Sequence, residues 1–169
     1  MTRRVQHWFV TVMMGIMVLG LLAGARATPT AAKAQQTSQA TLVAIRAAYH
    51  PEATPKYDRV VFELQGTLPS DIRVEYVSQL IADGSGAVLP IKSQGILRVS
   101  LFPAVAHTAA GESTVSARIS FNLPLVKEVV RSGDFEAMVS YGIGVSHKTE
   151  IRFLTLTSPT RVVIDFLSV

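Results

Sequence analysis

The chain has 169 residues, a mean hydropathy of +0.34 and a formal net charge of +4. It contains no cysteine, which excludes disulfides, thiolate chemistry and lipid attachment through an N-terminal cysteine. Three of its 16 basic residues and none of its 12 acidic residues precede Thr28, so the rest of the chain is nearly neutral. Since binding to nucleic acid requires clustered lysine and arginine, the composition argues against a nucleic-acid partner.

Residues 1–27 have the pattern of a secretory signal peptide. Met1–Arg4 is basic, Trp8–Leu22 is apolar, and Ala25-Arg26-Ala27 forms a small-x-small cleavage site. We therefore expect an exported protein that works outside the cytoplasm, in the cell envelope or as a secreted protein. The alternative is an uncleaved anchor, because the apolar run is close to the shortest that spans a bilayer. The protein would then contact the membrane only through this segment.

Residues 28–40 contain alanine, threonine, glutamine and serine without a bulky apolar residue, so we expect a flexible spacer. From residue 41 to residue 169 apolar residues alternate with period two, and turn residues separate the short runs. This pattern predicts nine strands, at Leu42–Ala48, Arg59–Gln65, Ile72–Val77, Val88–Ile91, Leu97–Phe102, Val126–Arg131, Glu136–Tyr141, Glu150–Thr155 and Arg161–Leu167. Short strands without intervening helices predict a single all-β domain, either a sandwich or a barrel of antiparallel strands.

Two irregular features interrupt this pattern. Residues 103–124 form the longest stretch without a strand, and we expect it to be too polar and too rich in small residues to join the core. Long loops on a rigid sheet often carry function, so this loop is a secondary candidate for binding. Gly142 and Gly144 lie inside an apolar segment, where we expect them to relieve a bulge or a bend in a strand.

A short pattern near the start of the domain returns at its end. Asp58–Leu64 and Thr160–Phe166 have matching alternation, which places one set of side chains toward the core: Val60, Phe62, Leu64, Val162, Ile164 and Phe166. The same alternation turns Arg59, Glu63, Arg161 and Asp165 outward. The repetition suggests equivalent strands in a pseudo-symmetric pair of sheets. The alternative is that the repetition indicates no symmetry, because any half-buried strand has this pattern.

Several blocks that occur in order resemble one protein family, the AMIN-like domains. They are Tyr57–Leu64, Asp83–Gly86, Leu97–Val99, Gly133–Glu136 and Ser158–Asp165. The family comprises bacterial exported and lipoprotein domains related to AMIN, the module that precedes cell-wall amidases. The resemblance implies a β-sandwich and attachment to peptidoglycan or another component of the envelope. It supplies no catalytic or ligand residues to carry over, and this chain lacks the cysteine that anchors lipoprotein members.

The sequence contains no recognisable catalytic set. A nucleophile elbow, an HExxH helix and a pair of carboxylates in a cleft are all missing, so we expect no enzymatic activity and no cofactor. His50, His107 and His147 are far apart and lack the spacing of metal ligands. We expect exposed loop histidines and no metal site; the alternative is that they converge in the fold with Asp58 or Asp134.

The outward charges are the best candidates for function. Arg59, Glu63, Arg161 and Asp165 are the proposed ligand-binding residues, and Arg73, Glu75 and Arg98 are further outward charges. Arginine presents a planar fork that matches carboxylates, such as those of peptide stems, so the expected partner is peptidoglycan or another wall polymer. Exposed arginine–acid pairs add little to stability, so Arg59 and Arg161 should matter for binding and not for folding.

Two other interpretations of the outward face remain open. The charges would have no ligand if they are cross-strand arginine–acid pairs that only solubilise the sheet. The chain would be a protein–protein adaptor if an exposed sheet edge pairs with an envelope protein. The small number of aromatic residues available to stack on sugars keeps the adaptor as the second hypothesis.

Overall fold

The structure is a computed structural model, and it describes residues 39–168. Within this range the chain forms β-strands and turns and no helix, so it contains no helix that could span a membrane. The strands are β1 (Ala40–His50), β2 (Tyr57–Gln65), β3 (Asp71–Val77), β4 (Leu80–Ile81), β5 (Val88–Leu89), β6 (Gly95–Phe102), β7 (Ala104–Val105), β8 (Arg118–Ser120), β9 (Val126–Phe135), β10 (Met138–Val145), β11 (Ile151–Thr157) and β12 (Thr160–Leu167). The predicted signal segment and nearly all of the predicted spacer lie outside the described residues.

Two five-stranded sheets form a sandwich. Sheet A has the strand order β11-β12-β2-β1-β7, and sheet B has the order β3-β6-β10-β9-β8. Neighbouring strands are antiparallel except for the short parallel pair between β1 and β7. The apolar side chains that alternate along the strands of both sheets meet in one cluster, which contains Phe62, Ile164, Leu97, Val129 and Ile143. The predicted all-β sandwich is therefore confirmed.

The predicted core faces of the two similar strands are confirmed. All six side chains assigned to the core of β2 and β12 are buried, and Phe62 packs against Tyr141 of sheet B with ring centroids 5.8 Å apart. The predicted symmetry is wrong, however. β2 and β12 are antiparallel neighbours within sheet A and do not occupy equivalent places in opposite sheets. The alternating pattern defines which face of each strand is buried and carries no information about the sheet it joins.

All nine predicted strands overlap strands of the structure, but one of them was misplaced. The expected strand Glu136–Tyr141 begins at a hairpin turn, because β9 extends to Phe135 and β10 begins only at Met138. Glu136 and Ala137 form that two-residue turn with φ values of 49° and 61°. Positive φ at both central residues is the geometry that matches the twist of paired strands, although glycine or asparagine usually supplies it.

The expectation that residues 103–124 stay out of the core is wrong. Ala104, Ala106 and Val115 are buried members of the core cluster, and this stretch also contributes β7 and β8 to the two sheets. Small side chains here allow the backbone to lie close to the core. The segment therefore adds an edge strand to each sheet and contributes side chains to the core between them.

The segment between β3 and β6 crosses the outer face of sheet B, and glycines make room for it. A Cβ atom on Gly142 would lie 2.6 Å from a methyl group of Leu80, and one on Gly144 would lie 2.9 Å from Ile91. Register shifts flank these glycines in the pairing with β9, but the extra residues, Lys127 and Ser132, belong to β9 and not to the strand of the glycines. The main role of the glycines is different: they permit the close approach of the crossing segment.

A buried carboxylate fastens this crossing segment to the sheet. Glu128 accepts a hydrogen bond from the backbone N–H of Lys92 and another from Arg118 at 2.5 Å, and Arg118 also donates to the carbonyl of Pro90 at 2.6 Å. Burial alone would raise the pKa of Glu128. The backbone and arginine donors outweigh that effect and hold the pKa below its usual value.

Candidate functional site

The outer face of sheet A brings the four predicted ligand residues together. The register of β2 and β12 sets Arg161 opposite Glu63 and Asp165 opposite Arg59. Both strands place an arginine and an acid four residues apart, so antiparallel pairing makes each arginine face the acid of the other strand. We call this surface the arginine face; it also includes Arg46 of β1 and Arg152 of β11.

Arg59 and Asp165 form a two-pronged ion pair. Nε and Nη2 of Arg59 donate to the two carboxylate oxygens at 2.7 and 2.9 Å, and Nη2 of Arg152 lies 3.3 Å from the same carboxylate. The hydrogen bonds that Arg59 donates to Asp165 raise the pKa of Arg59 against the opposing effect of burial. The side chain of Asp165 is only 2% exposed. It faces outward as predicted, but it lies beneath two guanidinium groups and anchors them.

Tyr57 organises the same end of the arginine face. The guanidinium carbons of Arg59 and Arg152 lie 5.1 and 5.0 Å from the centroid of its ring, and the ring of His50 stacks on it at 4.5 Å. Cation–π contacts of this kind hold the arginine planes in fixed positions. The sequence alone does not place Arg152, Tyr57 and His50 at this site, because their proximity depends on the order of strands in the sheet.

Arg161 is the exception among these arginines. The carboxylate opposite it, Glu63, is taken by an ion pair with Arg46. The nearest acceptor recorded for Arg161 is the carbonyl of Pro159, 3.4 Å from Nε, and none of the ion pairs among residues 39–168 includes Arg161. Its guanidinium opens onto a groove of about 380 Å³ lined by Arg46, Ala47, Ala48, His50, Arg59, Val61 and Arg161. This groove contains three arginines and no acid in its lining.

The remaining outward charges lie on sheet B, away from the arginine face. Arg73 pairs with Asp71 at 2.9 Å, and Arg98 pairs with Asp83 at 2.7 Å. Neither pair shares a groove with the four predicted residues. These two arginines fit the alternative interpretation, in which a local acid satisfies an outward arginine on a sheet face.

The histidines do not converge. His147 is exposed near Ser146, as expected of a loop histidine. His50 lies in β1 and bonds to Glu52, and His107 lies in an isolated bridge and bonds to Asp134. Both are half-buried, so the expectation of exposed loop histidines is wrong for these two. Within the described range no group of three or more histidine, aspartate or glutamate side chains is placed to hold a metal ion.

A family model describes nearly the whole of this sandwich: the AMIN-like domain matches residues 40–168. The chain belongs to the AMIN-like domain family. No curated protein and no solved structure matches it. AMIN-like domains are typically exported, envelope-associated modules and are generally non-catalytic. Membership confirms the family that the ordered sequence blocks indicated.

Proposed function

We propose that this AMIN-like domain is a non-catalytic module that binds peptidoglycan or another wall polymer through its arginine face. The observation that supports this proposal most strongly is the guanidinium of Arg161, which lines a groove with Arg46 and Arg59 and has no acidic partner within the described residues. Arg46 and Arg59 are each neutralised by an acid, so Arg161 leaves the groove with an excess positive charge.

The chemistry of the groove suits a polymer that carries carboxylates. A guanidinium donates two parallel hydrogen bonds to a carboxylate, and charge-assisted bonds of this type are roughly twice as strong as neutral ones. Val61 and the two alanines supply an apolar floor beside the charge. In this proposal Arg161 contacts the ligand directly and Arg59 borders it. Glu63 holds Arg46 beside the groove, and Asp165 positions Arg59 from below.

Binding to purified sacculi tests the proposal. The variant Arg161→Ala should weaken binding at least about tenfold, because one charge-assisted contact is lost. Arg73→Ala is the matched control: it also removes an exposed arginine, and that arginine lies on the other sheet. Rising salt should weaken the parent in the same direction. If Arg161→Ala binds sacculi as well as Arg73→Ala does, the arginine face is not the binding surface.

A second candidate function is that of a protein–protein adaptor, which the edge of sheet A favours. β11 is the outermost strand of that sheet, so one side of its backbone has no strand partner within residues 39–168. It exposes Phe153 and Leu156, contains no proline and has Arg152 as its only charge, whereas edge strands are usually protected by charge, proline or bulges. An extended segment of a partner can add to such an edge.

The two candidate functions are separable in one experiment with envelope-protein extract and sacculi. The double variant Phe153→Lys with Leu156→Lys places charges on the edge strand and should abolish capture of an envelope protein if the edge is the docking surface. The same variant should still bind sacculi if the arginine face is the functional one. Retained capture of the same envelope protein would exclude the edge as its docking surface.

The export signal belongs to this proposal as well. We propose that the mature protein begins near Thr28 and is found outside the cytoplasmic membrane, because the first 27 residues have the order of a signal peptide. N-terminal sequencing of the protein from its host tests this. A protein that starts at Met1 in the membrane fraction would show an uncleaved anchor.

A further inference from the structure

A second polar cluster lies where residues 103–124 pack against the hairpin of β9 and β10. The pairing of β9 with β10 skips a residue, so that Arg131 lies opposite Tyr141 and Asp134 lies opposite Val139. Tyr141 and Val139 belong to the core, and opposed residues of an antiparallel pair share a face. Arg131 follows the core residue Val129 by two positions and lies on the same face. The register shift after Arg131 turns Asp134 to that face as well, so a basic and an acidic side chain face the interior together.

Asp134, the acid of this cluster, accepts hydrogen bonds from a backbone N–H and from a histidine. One carboxylate oxygen of Asp134 accepts the backbone N–H of Ala106 at 3.1 Å, and the other lies 2.9 Å from Nδ1 of His107. Since a carboxylate only accepts, Nδ1 of His107 carries the proton in this contact. Arg131 stays 3.8 Å from the same carboxylate, beyond hydrogen-bond distance.

Arg131 is left with unused donors. The hydrogen bond recorded for its side chain goes from Nη1 to the hydroxyl of Ser113 at 3.1 Å. Ser113 lies opposite His107 in an isolated antiparallel bridge, which keeps both residues beside the arginine. A guanidinium has five N–H groups, and this one is about one-fifth exposed. Arg131 lines a pocket, and no carboxylate of the described residues lies within hydrogen-bond distance of its guanidinium.

Arg131 borders a shallow pocket that is open to the surface. Its volume is about 430 Å³, and it is lined by His107, Gly111, Ser113, Arg131 and Asp134. Behind this lining lies the hydroxyl of Tyr141, which is buried and has no hydrogen-bond partner. Burial raises the pKa of Tyr141 to about 12, so the hydroxyl remains protonated. Arg131 is close enough to oppose that rise, although the two groups do not reach hydrogen-bond geometry.

We propose that this pocket binds a compact ligand through a carboxylate, which the guanidinium of Arg131 and the hydroxyl of Ser113 hold. The proposal does not depend on the arginine face, which lies on the outer side of the other sheet. Arg131 and Asp134 carry opposite charges, so a monoanion leaves the site with one net negative charge and a dianion leaves it with two. A carboxylate is therefore favoured over a dianionic phosphate.

The experiment is an NMR titration of the ¹⁵N-labelled full chain with N-acetylalanine. The amide of N-acetylalanine is the matched ligand without a carboxylate, and inorganic phosphate is the competing anion. We expect N-acetylalanine to shift the resonances of His107, Ser113 and Arg131, its amide to leave them unchanged, and phosphate to bind about tenfold more weakly. Arg131→Gln should weaken the affinity for N-acetylalanine at least about tenfold, whereas Arg73→Gln should leave it unchanged.

Ser113→Ala keeps the test decisive if Arg131→Gln does not fold. The serine hydroxyl is a surface-side partner of the arginine, so its removal should preserve the fold and weaken binding several-fold. Equal shifts from N-acetylalanine and its amide would overturn the proposal, as would unchanged affinity in Ser113→Ala. Shifts confined to Arg46 and Arg161 would also overturn it, and they would support carboxylate binding at the arginine face instead.

Discussion

Replacing Arg59 and Arg161 one at a time should separate the folding role of the arginine face from its binding role. The sequence treats the two arginines as equivalent, and on that basis neither should affect stability. The structure distinguishes them, because Arg59 covers a buried carboxylate with two hydrogen bonds whereas Arg161 makes only one long contact to a carbonyl. Arg59→Ala should therefore destabilise the domain, and Arg161→Ala should not.

The expected loss for Arg59→Ala follows from the environment of Asp165. Removing one partner of a fully buried ion pair costs about 3–5 kcal/mol, and a hydrogen bond to a charged group contributes about 1.5–3 kcal/mol. Arg152 still faces Asp165 at 3.3 Å in the variant, and Arg59 is itself one-third exposed. We therefore expect a loss of about 1.5–3 kcal/mol for Arg59→Ala and a change within about 0.5 kcal/mol for Arg161→Ala.

Urea unfolding of both variants measures these free energies. A double-mutant cycle with Asp165→Asn supplies the control: once the buried charge is gone, Arg59→Ala should cost clearly less than it does in the parent. If Arg59→Ala is as stable as Arg161→Ala, the ion pair contributes nothing to folding. Arg59 would then be as free for a ligand as Arg161, and the distinction drawn from the structure would be wrong.

Three further outcomes follow from packing and charge. Phe62→Ala should lower the free energy of unfolding, measured in urea, by about 3–5 kcal/mol. Val61→Thr lies on the outer face of the same strand and should lower it by less than about 1 kcal/mol, so equal losses would contradict the face assignment. Gly144→Ala should lower stability by about 1–3 kcal/mol in thermal melting, while Gly84→Ala, with open space around it, should be neutral. Because the pKa of Glu128 is lowered in the fold, the stability that its carboxylate provides is present above pH 4.5 and is lost as the pH falls through the pKa of the folded state. The difference in unfolding free energy between the parent and Glu128→Gln should therefore narrow below pH 4.5.

Alternation along single strands explains what could be predicted of the fold. Val60, Phe62 and Leu64 are all buried as the period-two pattern requires, and the same holds for the matching residues of β12. The predictions that failed concern contacts between segments distant in the chain. Nothing near Gly142 indicates that Leu80 will pack on it, and nothing in Ala104 or Ala106 indicates that a small-residue segment will join the core.

The candidate sites also have a part that the sequence predicts and a part that depends on contacts between distant segments. Arg59, Glu63, Arg161 and Asp165 could be found from the sequence because they occur in a repeated local pattern. The burial of Asp165 could not, since it depends on Arg152, which lies on a strand that joins the sheet beside β12. The pocket beside Arg131 could not be predicted from the sequence at all. Two skipped residues in the β9–β10 pairing, Lys127 and Ser132, decide which side chains of β9 face the interior, and strict alternation does not predict them.

The two similar strands explain why the arginine face has one free arginine. With an arginine and an acid four residues apart on both strands, antiparallel pairing offers two reciprocal ion pairs, and two complete pairs would leave no charge for a ligand. Only the pair between Arg59 and Asp165 forms. Arg46 of β1 takes Glu63, and Arg161 is left facing the groove. The unpaired arginine of this face therefore results from the third strand, whose Arg46 takes the acid that would otherwise pair with Arg161.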